Sequence, residues 1–214
     1  MSGLRQAALL VRPTLRSISW APLAAGGALA LALVVLTDPG LGQARIAAIA
    51  ICVGAAFVLD DPAAATVASA PTSILARRAV RVGLALVPLA ALWGLVRWLA
   101  DGADPWAVSL ELGAMLALTL AAAALSARIR GDGHGGVAAA PALLTLLAAA
   151  YLLLPARWGL FPEGPADPLW GAAHGRWAVI LIAGGVVLLA TSGDPAAPPS
   201  RGRLYGARKA RPRP

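Results

Sequence analysis

Long blocks of apolar residues, separated by short polar segments, make up most of this chain. A helix that crosses a bilayer needs about 20 mostly apolar residues, because the hydrocarbon core offers no partner to a free backbone group. Pro, Gly and Asp occupy the gaps between the blocks, where turns and helix starts are expected. The pattern predicts an all-α, polytopic membrane protein with six transmembrane helices, over residues 21–37, 44–59, 80–100, 106–126, 137–154 and 177–191.

The composition agrees with this pattern. Of the 214 residues, 59% are hydrophobic and 13% are charged, whereas about 25% are charged in a typical soluble domain. The single cysteine, Cys52, excludes a disulfide or a CxxC redox pair within one chain. The sequence has no P-loop, no HExxH and no GxSxG motif. We therefore expect no catalytic residue, no metal and no cofactor, and any ATP-driven activity would need a separate ATPase.

Basic residues predict how the chain is oriented. Most of them lie in alternate gaps, within residues 1–20, 60–81, 128–136 and 192–214. Positive segments stay on the cytoplasmic side, so both termini are expected to be cytoplasmic. Residues 1–20 form a basic N-terminal segment, and the Pro-rich tail 192–214 is expected to be disordered and to lie against anionic lipid.

The net charge of +8 does not indicate nucleic-acid binding, because its residues flank apolar blocks and form no basic face. Abundant Ala, Gly, Pro and Arg, with a single Lys, are typical of a GC-rich bacterial genome. The expected location is therefore the plasma (inner) membrane. Tryptophans near the outer ends of the spans predict an aromatic belt at the headgroup layer, made of Trp98, Trp106, Trp158, Trp170 and Trp177.

Few ionisable residues lie inside the predicted spans. Arg97 and Glu111 are near the outer ends of the third and fourth spans. Charged residues in a membrane often mark a substrate pathway. A pair formed by these two side chains would line such a pathway, whereas a Glu111 satisfied by an arginine or by water would be structural. A third interpretation is an enzyme site at the outer face, built from Glu111, Asp101, Asp104 and His174.

The cytoplasmic segment 60–78 predicts a short helix. Asp61 can cap a helix that begins at Pro62, because Asp accepts a free N–H and Pro has none to leave unpaired. Pro71 then ends this helix before Arg77 and Arg78 at the entry to the third span. A helix tied in this way to two spans suits docking to a soluble partner, although it would also serve as a connector at the bilayer surface.

The order of residues in this segment resembles the first cytoplasmic loop of the ABC-2 type permease family, the membrane half of ABC exporters. That loop has an acidic residue, a Thr, a Pro with small polar residues and then a basic residue. This sequence shows the same order. The resemblance implies that the segment couples a partner ATPase to the spans through Asp60, Asp61, Thr66, Val67, Pro71, Arg77 and Arg78.

The resemblance also covers the topology, with six spans and a long outer loop at 155–176 that is similar to the partly re-entrant outer helices of the family. It implies a cytoplasmic ATP-binding cassette subunit as a partner, and pairing with itself or with a sister permease within the lipid. We therefore expect a permease subunit of an ABC exporter. The alternative is a non-transporting membrane scaffold, assembly or regulatory subunit, which the scarcity of polar groups in the spans favours.

Overall fold

The computed structural model describes residues 11–37, 40–61, 73–100, 104–131 and 133–193. Within these ranges the chain is helical and contains no strand. Two short 3-10 turns, Ala56–Leu59 and Ala156–Trp158, follow the third and sixth helices. The α-helices are α1 (Val11–Ser17), α2 (Trp20–Leu36), α3 (Leu41–Ala55), α4 (Ile74–Leu99), α5 (Pro105–Arg130), α6 (Gly136–Leu153) and α7 (Trp170–Ser192).

Among the described residues, five helical segments are long and apolar enough to cross a membrane: α3 with its 3-10 turn, α4, α5, α6 and α7. Helix α2 has 17 residues, and together with α1, to which it is joined at a bend of 67°, it forms the sixth candidate. The six predicted apolar blocks correspond in order to α2 through α7. The structure therefore confirms an all-α, multi-pass membrane protein.

Local residues explain where the long helices begin and end. Asp104 accepts a hydrogen bond from the backbone of Trp106 at the start of α5, and Pro105 occupies the first helical position. The same helix ends at Gly131, whose φ of 71° is the left-handed conformation that glycine adopts without strain. Ser73 caps α4 by accepting from Ala76 N. The caps at Asp104 and Gly131 agree with the turns and helix starts predicted in the gaps.

Contacts between the helices define two ends of the bundle. At one end, which we call the Asp60 end, Gly136 at the start of α6 donates its N–H to Asp60 at the end of the α3 segment. Arg78, near the start of α4, donates there to Thr191 O, near the end of α7. The opposite end, which we call the Arg45 end, contains the starts of α3, α5 and α7. The last described residues therefore lie at the Asp60 end.

Helices α2 and α3 approach closely at two glycines. A Cβ at Gly54 would lie 2.6 Å from Pro22 O, and a Cβ at Gly26 would collide with Ala50 O. Since the start of α2 faces the end of α3, the two helices are antiparallel. Helix α1 and the start of α2 therefore also lie at the Asp60 end. Small residues let helix backbones approach this closely inside a membrane, where packing takes over from the hydrophobic effect.

Replacing Gly54 by Val is expected to lower the free energy of unfolding by about 1–3 kcal/mol relative to Gly94→Val, because the new side chain forces α2 away from α3. A Cβ at Gly94, inside α4, meets nothing within 4 Å, so this control separates crowding from helix propensity. Thermal unfolding of the two purified variants in detergent measures the difference. If the two variants were equally stable, α2 and α3 would be able to move apart without a loss of stability.

The largest differences from the predicted boundaries are the following. Helix α4 begins at residue 74, so the last residues of the 60–78 segment belong to it, while 62–72 lie outside the described residues. Helix α7 begins at residue 170, which shortens the loop predicted at 155–176, and the rest of that loop contains only the 3-10 turn and no re-entrant helix. Helix α1 lies in the basic segment 1–20. Helices α4 and α7 extend beyond the apolar blocks because intrahelical hydrogen bonds form equally well in the polar layer of the membrane.

Candidate functional site

A buried ion pair joins α3 to α5 near the Arg45 end. Arg45 donates from Nε to Glu111 Oε2 at 2.8 Å and from Nη2 to Glu111 Oε1 at 2.7 Å. Such a bidentate pair fits the planar guanidinium to the carboxylate. The side chain of Glu111 has no exposed surface, and that of Arg45 is 11% exposed. The positive charge of Arg45 and the negative charge of Glu111 thus neutralise each other at a position where water does not reach the carboxylate.

His174 on α7 adds a third group to this pair. Its Nε2 lies 3.3 Å from Glu111 Oε1, and its Nδ1 lies 2.8 Å from Trp170 O. Because a carbonyl oxygen only accepts, Nδ1 carries the proton of that hydrogen bond. Nε2 is buried and makes no hydrogen bond among the described residues, so its approach to Glu111 Oε1 is a close contact of the ring. We call Arg45, Glu111 and His174 the ion-pair cluster.

The loop between α6 and α7 covers the cluster. Arg45 Nη1 donates to Pro162 O at 2.7 Å, and the guanidinium carbon lies 5.6 Å from the centre of the Phe161 ring and 6.0 Å from that of Trp170. These distances allow cation–π attraction. The cluster therefore joins α3, α5, α7 and the loop at one point.

Side chains of α7 hold the same loop in place. Trp177 is fully buried and donates from its indole nitrogen to Leu160 O at 2.8 Å. Arg176 donates to Gly159 O and to Arg157 O. Trp177 is thus a core residue and not a member of the predicted aromatic belt, whereas Trp98, Trp106 and Trp158 are exposed near the Arg45 end.

The predicted pair of Glu111 and Arg97 does not form. Among the described residues Glu111 contacts Arg45 and His174, and Arg97 lies at the end of α4 outside the cluster. Of the residues considered for an outer enzyme site, Glu111 and His174 come together, Asp104 caps α5, and Asp101 lies outside the described residues. A role of Glu111 and Arg97 in a pathway stays a prediction.

A cavity of about 640 Å³ lies beside the cluster, between α3 and α6. The loop over the cluster forms one end of it. Most of its wall is aliphatic, and Arg45, Tyr151 and Glu163 contribute the polar groups near the loop. This volume falls within the roughly 300–1,000 Å³ of small-molecule sites in proteins. It is therefore large enough for a ligand.

The acidic residues at the Asp60 end form a second polar cluster. Arg81 donates to the carbonyl oxygen of Asp60 and to Ser17 Oγ, and it pairs with the Asp61 carboxylate at 2.9 Å. The Asp60 carboxylate accepts from Gly136 N at 2.8 Å. Arg81 and Asp60 are both 5% exposed. Two residues that the sequence assigned to partner binding, Asp60 and Asp61, thus also make contacts within the chain.

Of the other predicted coupling residues, Arg78 lies near the start of α4 and donates to Thr191 O, Ser192 Oγ and Ala124 O. It therefore connects α4 to α5 and α7. Arg77 is the next residue toward the start of the same helix and is partly exposed. Thr66, Val67 and Pro71 lie outside the described residues.

The chemistry of the ion-pair cluster is that of fixed, mutually neutralised charges. Its carboxylate and imidazole would offer a metal only two ligands, next to a guanidinium that repels cations. Within the described ranges no group of three His, Cys, Asp or Glu side chains is placed to hold a metal ion. The cluster is therefore suited to connecting helices and to shaping the adjacent cavity.

Fold and site together define an all-α, multi-pass membrane protein with paired charges inside the bundle and a cavity between two of its spanning helices. Comparisons of the chain with known protein families, with curated proteins and with solved structures found no match.

Proposed function

We propose that this protein is the membrane-spanning permease subunit of an ATP-driven ABC exporter in a bacterial plasma membrane, and that a separate cytoplasmic ATPase docks on the connection between α3 and α4. The observation that carries the proposal is the attachment of this connection to the bundle. Asp60 and Asp61 precede it, Arg81 follows it within three turns of α4, and Arg81 contacts both acidic residues.

These contacts would let a docked subunit move the spanning helices. Arg81 reaches α1 through Ser17, and Arg78 reaches α5 and α7. The Asp60 carboxylate binds the start of α6. A displacement of the connection would thus act on α4, α5, α6 and α7 together, which is the mechanical property that coupling requires.

The distribution of charge supports placing the Asp60 end in the cytoplasm. Arginines at the Asp60 end lie on α1, α4 and α5, and they outnumber those at the Arg45 end. Short segments rich in Arg stay on the cytoplasmic side of a membrane. Both ends of the described chain would then face the ATPase. The arginines at the Asp60 end are Arg12, Arg16, Arg77, Arg78, Arg81, Arg128 and Arg130.

Replacing Val67 by Glu is expected to lower co-purification of an ABC-type ATPase with the tagged full chain by about tenfold or more, since an uncompensated charge in an interface costs at least the 1.4 kcal/mol that this factor represents. Asp61 is less suitable as a probe because it pairs with Arg81 inside the chain. Quantitative immunoblotting of the ATPase, with both proteins produced together in membranes, measures the effect.

Ala166→Glu is the matched control, because residue 166 is exposed in the loop at the Arg45 end. This variant should retain the ATPase. Undiminished association in Val67→Glu, with normal insertion into the membrane, would contradict docking at the connection.

One observation favours a second function, a non-transporting scaffold or regulatory subunit. The charges of Arg45 and Glu111 face each other, Glu111 is not exposed and the Arg45 side chain is only 11% exposed, so this pair offers little polar surface to a passing solute. Isolation of the intact complex from its native membrane distinguishes the two functions. A stable complex without a nucleotide-binding subunit would support the scaffold, and ATP-dependent export from reconstituted vesicles would support the permease.

A further inference from the structure

The cavity between α3 and α6 has a tight end and an open end. Near the Asp60 end the two segments touch, since a Cβ at Gly136 would lie 2.9 Å from Ala56 O and from Phe57 Cα. Toward the Arg45 end they separate, and Ile46 of α3 and Leu144 of α6 line the space between them. These two side chains are 52% and 46% exposed. The cavity is therefore open at the side, toward the surface that the bilayer covers.

The depth of the cavity matches one leaflet of a bilayer. Its wall on α3 runs from Leu41 to Ile49, which at about 1.5 Å per residue is about 12 Å. Half of a hydrocarbon core is about 15 Å. An aliphatic cavity does not hold water well, and a side opening within a span meets acyl chains. The apolar part therefore fits the chain of a lipid that stands in the leaflet at the Arg45 end.

The polar groups of the cavity are at the end where the headgroup of such a lipid would lie. Arg45 uses three of its five N–H groups in hydrogen bonds with Glu111 and Pro162 O. The other two N–H groups of Arg45 are not used in these bonds, and Arg45 lines the cavity. Glu163, exposed in the loop, lines the same end and brings a negative charge. A headgroup with one anionic and one cationic part complements this pair of side chains.

We propose that the cavity is a binding site for a zwitterionic phospholipid. One acyl chain lies between α3 and α6, the phosphate accepts hydrogen bonds from Arg45, and the ammonium group lies against Glu163. The site is independent of the proposed exporter function, because it requires only the described helices and the loop.

The test uses the full chain in phospholipid vesicles with a phosphatidylethanolamine probe that carries a diazirine midway along one acyl chain. Illumination is expected to cross-link the probe to cavity residues on both helices, among them Ile49 and Leu147. Leu144→Trp fills the cavity and should lower this labelling about tenfold, because displacing a few buried methylene groups is worth that much in affinity.

Leu146→Trp is the matched control. Leu146 is two residues away on α6, is 52% exposed and does not line the cavity, so labelling should persist. Equal labelling of the two variants, or cross-links spread evenly over the outer faces of all helices, would overturn the proposal.

The headgroup is tested with a phosphatidylglycerol probe bearing the same diazirine chain. The zwitterionic probe should label the cavity about twofold to fivefold more strongly, the range expected for an exposed ion pair, and Glu163→Gln should remove this preference. Equal or stronger labelling by the anionic probe in the unmodified chain would overturn the assignment of the headgroup.

Discussion

Replacing Glu111 by Gln is expected to lower the free energy of unfolding by about 3–5 kcal/mol, because removing one partner of a buried pair leaves the other charge uncompensated. Gln keeps the size of the side chain, so cavity formation does not contribute. The guanidinium of Arg45 would then face a neutral amide at a position that is only 11% exposed. Chemical unfolding in detergent micelles, followed by tryptophan fluorescence, measures the loss.

Two further variants show whether the pair itself is responsible. Substituting both partners, Arg45→Met with Glu111→Leu, should restore stability to near that of the unmodified protein, since apolar replacement of a whole buried pair is often neutral or stabilising. Glu163→Gln, at an exposed glutamate, should have little effect. If the double variant were as unstable as Glu111→Gln, the cost would not come from an unpaired Arg45.

Replacing Arg81 by Met is expected to cost about 2–4 kcal/mol, because Arg81 satisfies the Asp60 carbonyl, the Asp61 carboxylate and the hydroxyl of Ser17. Met preserves most of the aliphatic packing. The Asp61 side chain is 20% exposed, so water compensates part of the loss. The unfolding free energy in detergent measures the effect, and faster proteolytic cleavage within 62–72 gives a local readout.

Arg130→Met is the control for this change. Arg130 lies at the exposed end of α5, where a substitution is expected to change stability by no more than about 0.5 kcal/mol. A loss in Arg81→Met no greater than that in Arg130→Met would mean that the acidic residues before the connection are held by other contacts.

The sequence predicted the helices well because the bilayer imposes a length and a polarity on each of them. The start of α5 was marked correctly by Asp104 with Pro105, and its end by Gly131. The misplaced boundaries have a common cause. Hydropathy reports where a segment becomes polar, whereas α4 and α7 continue beyond that point as long as their backbone hydrogen bonds can form.

The candidate site was only partly predictable. Glu111 stood out as an acidic residue within a span, and Arg97 was the expected partner because both lie near the ends of their spans that are predicted to be outer. Arg45 also lies within a predicted span. A charged residue there needs a partner, and Glu111 is the one acidic residue inside a predicted span. Packing contacts, such as the glycine contact of α2 with α3, determine which helices are neighbours. The periodicity of the sequence does not reveal these contacts.

The burial of Cys52 gives the protein a practical property. This thiol has no exposed surface and lies in α3 against Leu112 of α5, so a water-soluble maleimide should not react with it in the folded state. A cysteine introduced at an exposed position, such as Ala166 in the loop at the Arg45 end, would then be the reactive thiol of the chain. Since the contacts already fix which helix ends lie together, labelling intact cells at that one position would reveal on which side of the membrane each end of the bundle lies.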